Sequence, residues 1–235
     1  MNYIPRISDK LLRSLLESSG AVVVEGPKWC GKTQSSLQIA NSVVYMQDPD
    51  EGPGYLAMAD TKPSLLLAGE PPLLIDEWQM APVIWDAVRF AVDKRGLMGQ
   101  FILTGSATPA DNETAHSGTG RIARMLMRPM SLFESDESNG KVSIKELFEG
   151  QTDIAAKSTL TIEQIAYAIC RGGWPAAVKS GKQSPQIAMN YVDAVINLDI
   201  HRVDGVEKDP ERVRLLLQSL ARNISTLATS KTIMD

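Results

Sequence analysis

AVVVEGPKWCGKT, residues 21–33, runs four small and β-branched residues into a glycine-bearing turn that ends in Lys32 and Thr33. Ala21, Val22, Val23 and Val24 suit a strand buried on both faces. Gly26, Gly31, Lys32 and Thr33 follow at the G-x-x-x-x-G-K-[ST] spacing of a phosphate-binding P-loop. The glycines let successive backbone N–H groups curl inward around an anion, and the following helix points its positive end at the same place. The spacing predicts a nucleotide site over Gly26, Pro27, Lys28, Trp29, Cys30, Gly31, Lys32, Thr33 and Gln34. In that site Lys32 reaches the β- and γ-phosphates and the Thr33 hydroxyl sits on Mg²⁺. The plain alternative is a glycine turn with a solvated lysine, and the strand in front argues against it.

A second stretch, PPLLIDEWQ at 71–79, completes the pattern. Leu73, Leu74 and Ile75 read as a buried strand that delivers Asp76 and Glu77 at its carboxyl end, where open α/β sheets bind ligands. Asp76 suits the metal-side acid of a Walker B motif, and Glu77 is placed to orient the attacking water. The competing reading makes the pair a cap for the helix that begins near Pro82. QFILTGSA, 100–107, supplies a further buried strand ending in Thr104 and Ser106, hydroxyls placed to sense a γ-phosphate or to close a turn.

Along GRIARMLMRPMSLFE, 120–134, Arg124, Leu126 and Arg128 fall on one side of an extended strand, with Ala123, Met125 and Met127 on the other. These arginines clamp phosphates in cis, reach a neighbouring subunit of a homo-oligomer as an arginine finger, or are solvated edge-strand charges.

Composition sets bounds on these readings. The net charge of −4 is not that of a protein that coats nucleic acid, so any such contact is a local patch. The N-terminal stretch lacks the apolar core of a signal peptide, and no run approaches the roughly 18 apolar residues of a membrane span. Two cysteines, Cys30 and Cys170, make no disulfide scaffold. The expectation is a cytoplasmic protein with no membrane partner. His116 reads as a solvated loop residue, and Asp48 and Asp50 as turn carboxylates in preference to metal ligands.

The remaining segments are helical. Leu11, Leu12, Leu15 and Leu16 line one face of a helix over 8–18, with Ser8 as its cap. Residues 82–94 form another amphipathic helix. Beyond 135–141 strands give way to helices near 143–148, 162–170, 184–198 and 211–222. RGGWPAAV, 171–178, reads as a tight helix-to-helix corner with a packed tryptophan. The chain stops inside a helical segment without a stop signal, which predicts a longer natural protein.

GPKWCGKT, LLIDEWQ, FILTGSA, the 120–134 strand and the GGWP corner, in that order, resemble the bacterial and archaeal AAA-type ATPases that carry a C-terminal domain of unknown function. The resemblance implies an α/β P-loop NTPase sandwich with a five-stranded, mostly parallel sheet of the additional-strand type. It divides the chain into an ATPase core at 1–137, a helical lid at 138–208 and the start of a truncated winged helix at 209–235. It implies ATP with Mg²⁺ held by Thr33 and Asp76, Ser106 as the γ-phosphate sensor with Thr104 as second choice, and Arg121 as the residue that contacts phosphate or a neighbour. Lys28-Trp29 departs from the Arg-Gln more usual in such relatives.

Together these readings predict a Mg²⁺-dependent ATPase in which Lys32, Glu77, Ser106 or Thr104 and Arg121 carry the chemistry. A nucleotide-gated switch, slow to hydrolyse, that binds DNA or a protein partner through its C-terminal region is the second reading; Arg212, Arg214, Arg222 and Lys231 give that region local basicity. A small-molecule kinase is the third, disfavoured by Glu77 beside Asp76.

Overall fold

The computed structural model describes residues 3–105, 118–181, 184–200 and 206–234. Five short strands, β1 (Ala21–Glu25), β2 (Ser42–Tyr45), β3 (Leu73–Asp76), β4 (Phe101–Thr104) and β5 (Ile122–Leu126), form one sheet in the order β2-β3-β4-β1-β5. Every neighbouring pair is parallel. β4 therefore lies between the strand before the P-loop and the strand that carries Asp76, which is the additional-strand arrangement. The apolar runs explain why: Val22, Val23, Val24, Leu74, Ile75, Ile102 and Leu103 are fully buried, as central parallel strands covered on both faces require.

Successive strand residues feed two separate cores. Val22, Val24, Leu74, Ile102 and Met125 pack with Leu12 and Leu16 of α1 (Ile7–Ser18) and with Cys30 and Met127. On the other face Ala21, Val23, Leu73, Ile75, Phe101, Leu103 and Ile122 pack with Ile84, Trp85, Val88 and Val92 of α4 (Val83–Arg95). The short helix α2 (Lys32–Leu37) follows the P-loop, and α3 (Gly52–Thr61) follows β2. The alternation expected for residues 120–134 is present: Met125 and Met127 are buried while Arg124 and Leu126 are exposed.

One start signal differs from expectation. The first helix begins at Ile7, so Ser8 lies inside it; the Asp9 carboxylate accepts the Arg6 backbone N–H at 2.8 Å and closes the end.

The chain divides into two compact units, residues 1–178 and 179–235. The first also holds α5 (Ile144–Phe148) and α6 (Ile162–Arg171), the latter opened by a Thr161–Gln164 capping box, and reaches α7 (Pro175–Lys179). In the second, α8 (Ser184–Ala194) runs on into a π-helical turn at Val195–Asp199, and α9 (Pro210–Arg222) is capped by Asp209, whose side chain accepts the Glu211 N–H. The last element is α10 (Ser230–Met234). Among the described residues no helix is long and apolar enough to cross a membrane.

Trp85 ties α4 to the sheet. It is 2% exposed, its ring centroid lies 5.1 Å from that of Trp78, and the Arg124 guanidinium sits 5.2 Å over it. Trp85→Ala is expected to cost about 3–5 kcal/mol. Urea unfolding should show a lower midpoint at an unchanged slope.

Candidate functional site

All five strands point the same way, so their carboxyl ends share one edge of the sheet. The register places Val24 and Asp76 on either side of Thr104, with Tyr45 beside Asp76. The phosphate loop leaves β1 at that edge. Gly26 has φ +149°, and a Cβ there would lie 2.2 Å from the Met127 carbonyl oxygen, so the first loop position admits glycine alone. Gly31 has φ +106° and Trp29 has φ +62°.

Lys32 is only 6% exposed, and its Nζ donates to the carbonyls of Gly26 at 2.9 Å and Pro27 at 3.0 Å. Among the described residues no carboxylate pairs with it. Cys30 is fully buried and its thiol donates to the Met127 carbonyl at 3.6 Å. Burial pushes that thiol's pKa up against the pull of the Lys32 charge, so it packs as a small neutral side chain.

The acids approach from β3. Asp76 Oδ1 accepts the Thr33 hydroxyl at 2.7 Å and the Thr104 hydroxyl at 2.5 Å, which joins the P-loop helix, the Walker B strand and the intervening strand at one oxygen. Glu77 stands just past the strand in the left-handed region at φ +56°, an uncommon conformation for a non-glycine residue. Gln79 Nε2 donates to its Oε2 at 2.5 Å. A Cβ on Gly105 would lie 2.3 Å from Gln79 Oε1, so the glycine after β4 makes room for the side chain that holds Glu77.

The arginines are dispersed. Arg121 precedes β5 and its carbonyl accepts the Ala21 N–H at 3.0 Å, beside the start of β1. The loop leaves from the other end of that strand, about 16 Å away at ~3.3 Å per residue. Within this chain Arg121 is not brought to the loop; its guanidinium pairs with Asp93 at 2.7 Å. Arg124 pairs with Glu25 and covers Trp85. Ser106 and His116 lie outside the described residues.

Two residues that sequence reasoning did not connect with the loop touch it. Arg6 is buried beneath it, donating to the Cys30 carbonyl at 2.7 Å, the Arg128 carbonyl at 2.8 Å and Glu134 Oε1 at 2.8 Å. Trp174 of the GGWP corner donates its indole N–H to the Lys28 carbonyl at 3.2 Å. The corner is held by Gly173, where a Cβ would lie 2.2 Å from the Met130 carbonyl oxygen, and by a bidentate pair of Arg171 with Glu137 at 2.8 and 2.7 Å. The corner's composition announced a turn, but no periodicity in the sequence pairs residue 6 or 174 with the loop.

Which residues fit a metal follows from the donor set. Among the described residues no group of three or more His, Cys, Asp or Glu side chains converges. Thr33 and Asp76 offer one hydroxyl and one carboxylate, the small complement with which a protein holds Mg²⁺ that arrives with phosphate oxygens and waters.

A family model described as an AAA domain matches residues 18–135, half of the chain, and one described as a domain of unknown function matches residues 162–235. The structure is similar to the Walker-type ATPase of Pyrococcus abyssi, with a TM-score of 0.50 at 15% identity over 94% of this chain and 80% of that one. AMPPCP-bound DnaA from Aquifex aeolicus aligns with a TM-score of 0.43 at 13% identity over 99% and 82% of the two chains. No curated protein sequence matches significantly. At these identities the first likeness carries the fold, a five-stranded parallel sheet with flanking helices.

Glu134 gives the site a pH signature. Burial alone would raise its pKa, but the N–H groups of Ser131 and Ile7 and the Arg6 guanidinium outweigh burial and hold it below the ordinary 4.5. A carboxylate depressed in the folded state contributes stability that is fully present above 4.5 and is lost as pH falls through the folded value. Glu134→Gln is expected to lower stability at neutral pH and to flatten the acid limb below 4.5, read from urea midpoints against pH.

Proposed function

The chain belongs to the AAA domain family, and on that premise we propose that it is a Mg²⁺-dependent ATPase that binds and hydrolyses ATP at the Gly26–Thr33 loop. The observation that carries the reading is the Lys32 ammonium, buried on two neutral carbonyls with no carboxylate beside it among the described residues. Removing an ammonium from water is costly unless an anion compensates. A triphosphate supplies that anion, and the loop amides supply its hydrogen bonds.

In this reading Lys32 and the loop from Gly26 to Gln34 bind the β- and γ-phosphates. Thr33 and Asp76 hold Mg²⁺, which neutralises phosphate charge when bound. Asp76, fixed by the hydroxyls of Thr33 and Thr104, keeps the helix and the sheet edge in register. Glu77, steadied by Gln79, orients a water for attack on the γ-phosphorus and takes its proton as the new P–O bond forms and the bond to the β-bridging oxygen breaks. Thr104 reports on the γ-phosphate through its bond to Asp76, with Ser106 as the other sensor candidate. Arg121 is assigned to a contact with a neighbouring subunit.

A nucleotide-gated switch is the second reading, favoured by one contact: the Trp174 indole rests on the phosphate loop itself, so a change in the loop is passed to the GGWP corner. The helical lid at 138–208 and the winged-helix start at 209–235 are the parts such a switch would move. DNA is the weaker choice of partner. Arg212 lies near Asp209 and Arg214 near Asp193, which offsets part of the local basicity of the tail.

Lys32→Ala is expected to abolish ATP binding at concentrations that saturate the wild type, measured by calorimetric titration with Mg²⁺ present. Glu77→Gln is expected to bind ATP as the wild type does while phosphate release falls by about 10²-fold or more. Wild-type turnover in that variant would remove Glu77 from the mechanism.

A further inference from the structure

Arg6 stands just before the first helix, yet its guanidinium donates to groups far along the chain: Cys30, Arg128 and Glu134. Its side chain is 4% exposed. Glu134 is itself saturated, accepting the N–H groups of Ile7 and Ser131 at 2.8 Å each and the Ser131 hydroxyl at 3.0 Å. An apolar side chain would fill the same space without the desolvation of a guanidinium and a carboxylate. What the guanidinium adds is direction, because its fork fixes three acceptors in one plane.

One of those acceptors belongs to the phosphate loop. A trans peptide is planar, with its C=O and N–H antiparallel. Drawing the Cys30 carbonyl onto Arg6 Nη1 therefore turns the Gly31 N–H, in the same peptide, away from Arg6. The Trp174 indole does the same two residues earlier: holding the Lys28 carbonyl directs the Trp29 N–H the opposite way. The two braces close on one spot. A Cβ on Gly31 would meet Arg6 Nη1 at 3.3 Å and Pro175 Cγ at 3.5 Å. Tyr3 fastens the same N-terminal segment to the P-loop helix, its hydroxyl lying 2.8 Å from Ser35 Oγ and 2.7 Å from Asp9 Oδ1.

We propose that Arg6 is a positioning residue of the nucleotide site: with Trp174 as a second brace, it sets the direction of the phosphate-loop amides before a phosphate arrives. The inference rests on the ATP-site reading above. Amides held in place need no reorganisation on binding, so the contribution falls on affinity and not on the chemical step.

The test uses the whole chain and three variants. Arg6→Met combined with Glu134→Gln removes the brace without leaving a buried carboxylate unpaired. Arg6→Lys keeps the charge but cannot span three acceptors, and Trp174→Phe removes one donor while keeping most of the ring. Folding is followed by circular dichroism, ATP binding by calorimetry with Mg²⁺, and turnover by phosphate release. The folded double variant is expected to bind ATP about 10- to 100-fold more weakly, the loss of a charged hydrogen bond, with KM raised in step and kcat within about threefold. Trp174→Phe is expected to weaken binding about 2- to 10-fold.

Wild-type affinity in the folded double variant, or a fall in kcat at unchanged KM, would overturn the proposal. Should the double variant fail to fold, Arg6→Lys and Trp174→Phe decide by the same criterion. A wild type that does not bind ATP, or binding that survives Lys32→Ala, would instead remove the reading beneath it.

Discussion

A buried ammonium that leans on backbone carbonyls constrains everything around it. Lys32 is held by the oxygens of Gly26 and Pro27, which fixes the curl of the loop from both of its ends. That curl is possible only because the residue that follows β1, Gly26, has no side chain and lies pressed against the Met127 carbonyl. The valines of β1 are buried on both faces, so the strand cannot shift to relieve the crowding. Sheet, loop and lysine thus form one constraint, and the acids of β3 are arranged with respect to it through Thr33.

The sheet order gives the strand between β1 and β3 its meaning. Because β4 lies between them, Thr104 can reach the carboxylate at the tip of β3 while its neighbour Gly105 donates its N–H to Val24 of β1 at 3.4 Å. The two motifs sit more than forty residues apart in sequence and are joined through a third element that carries neither. A sheet in which β1 paired directly with β3 would leave Thr104 elsewhere and Asp76 with a single hydroxyl.

Much of this was legible because it is local. The valine run, the glycine spacing and the apolar triplet before Asp76 each declare themselves within a dozen residues, and the order in which they occur carried the five-stranded sheet. Features that depend on distant pairings were not legible. Arg6 and Glu134 meet across 128 residues, and Trp174 and Lys28 across 146. Neither pairing leaves a periodic trace, since a lone arginine before a helix looks like a solvated charge. Arg121 illustrates the converse. Its place in the motif order suggested contact with phosphate or with a neighbouring chain, and parallel pairing puts the residue before β5 at the opposite end of the sheet from the loop after β1. Chain order had fixed which strand follows which, not which end faces the ligand.

The four tryptophans are divided evenly between two environments. Trp78 and Trp85 are sealed in the core, while Trp29 belongs to the phosphate loop and Trp174 is bonded to it. Two of the four indoles therefore stand at the phosphate loop and two in the core, and the protein carries its own optical gauge of what happens at that loop.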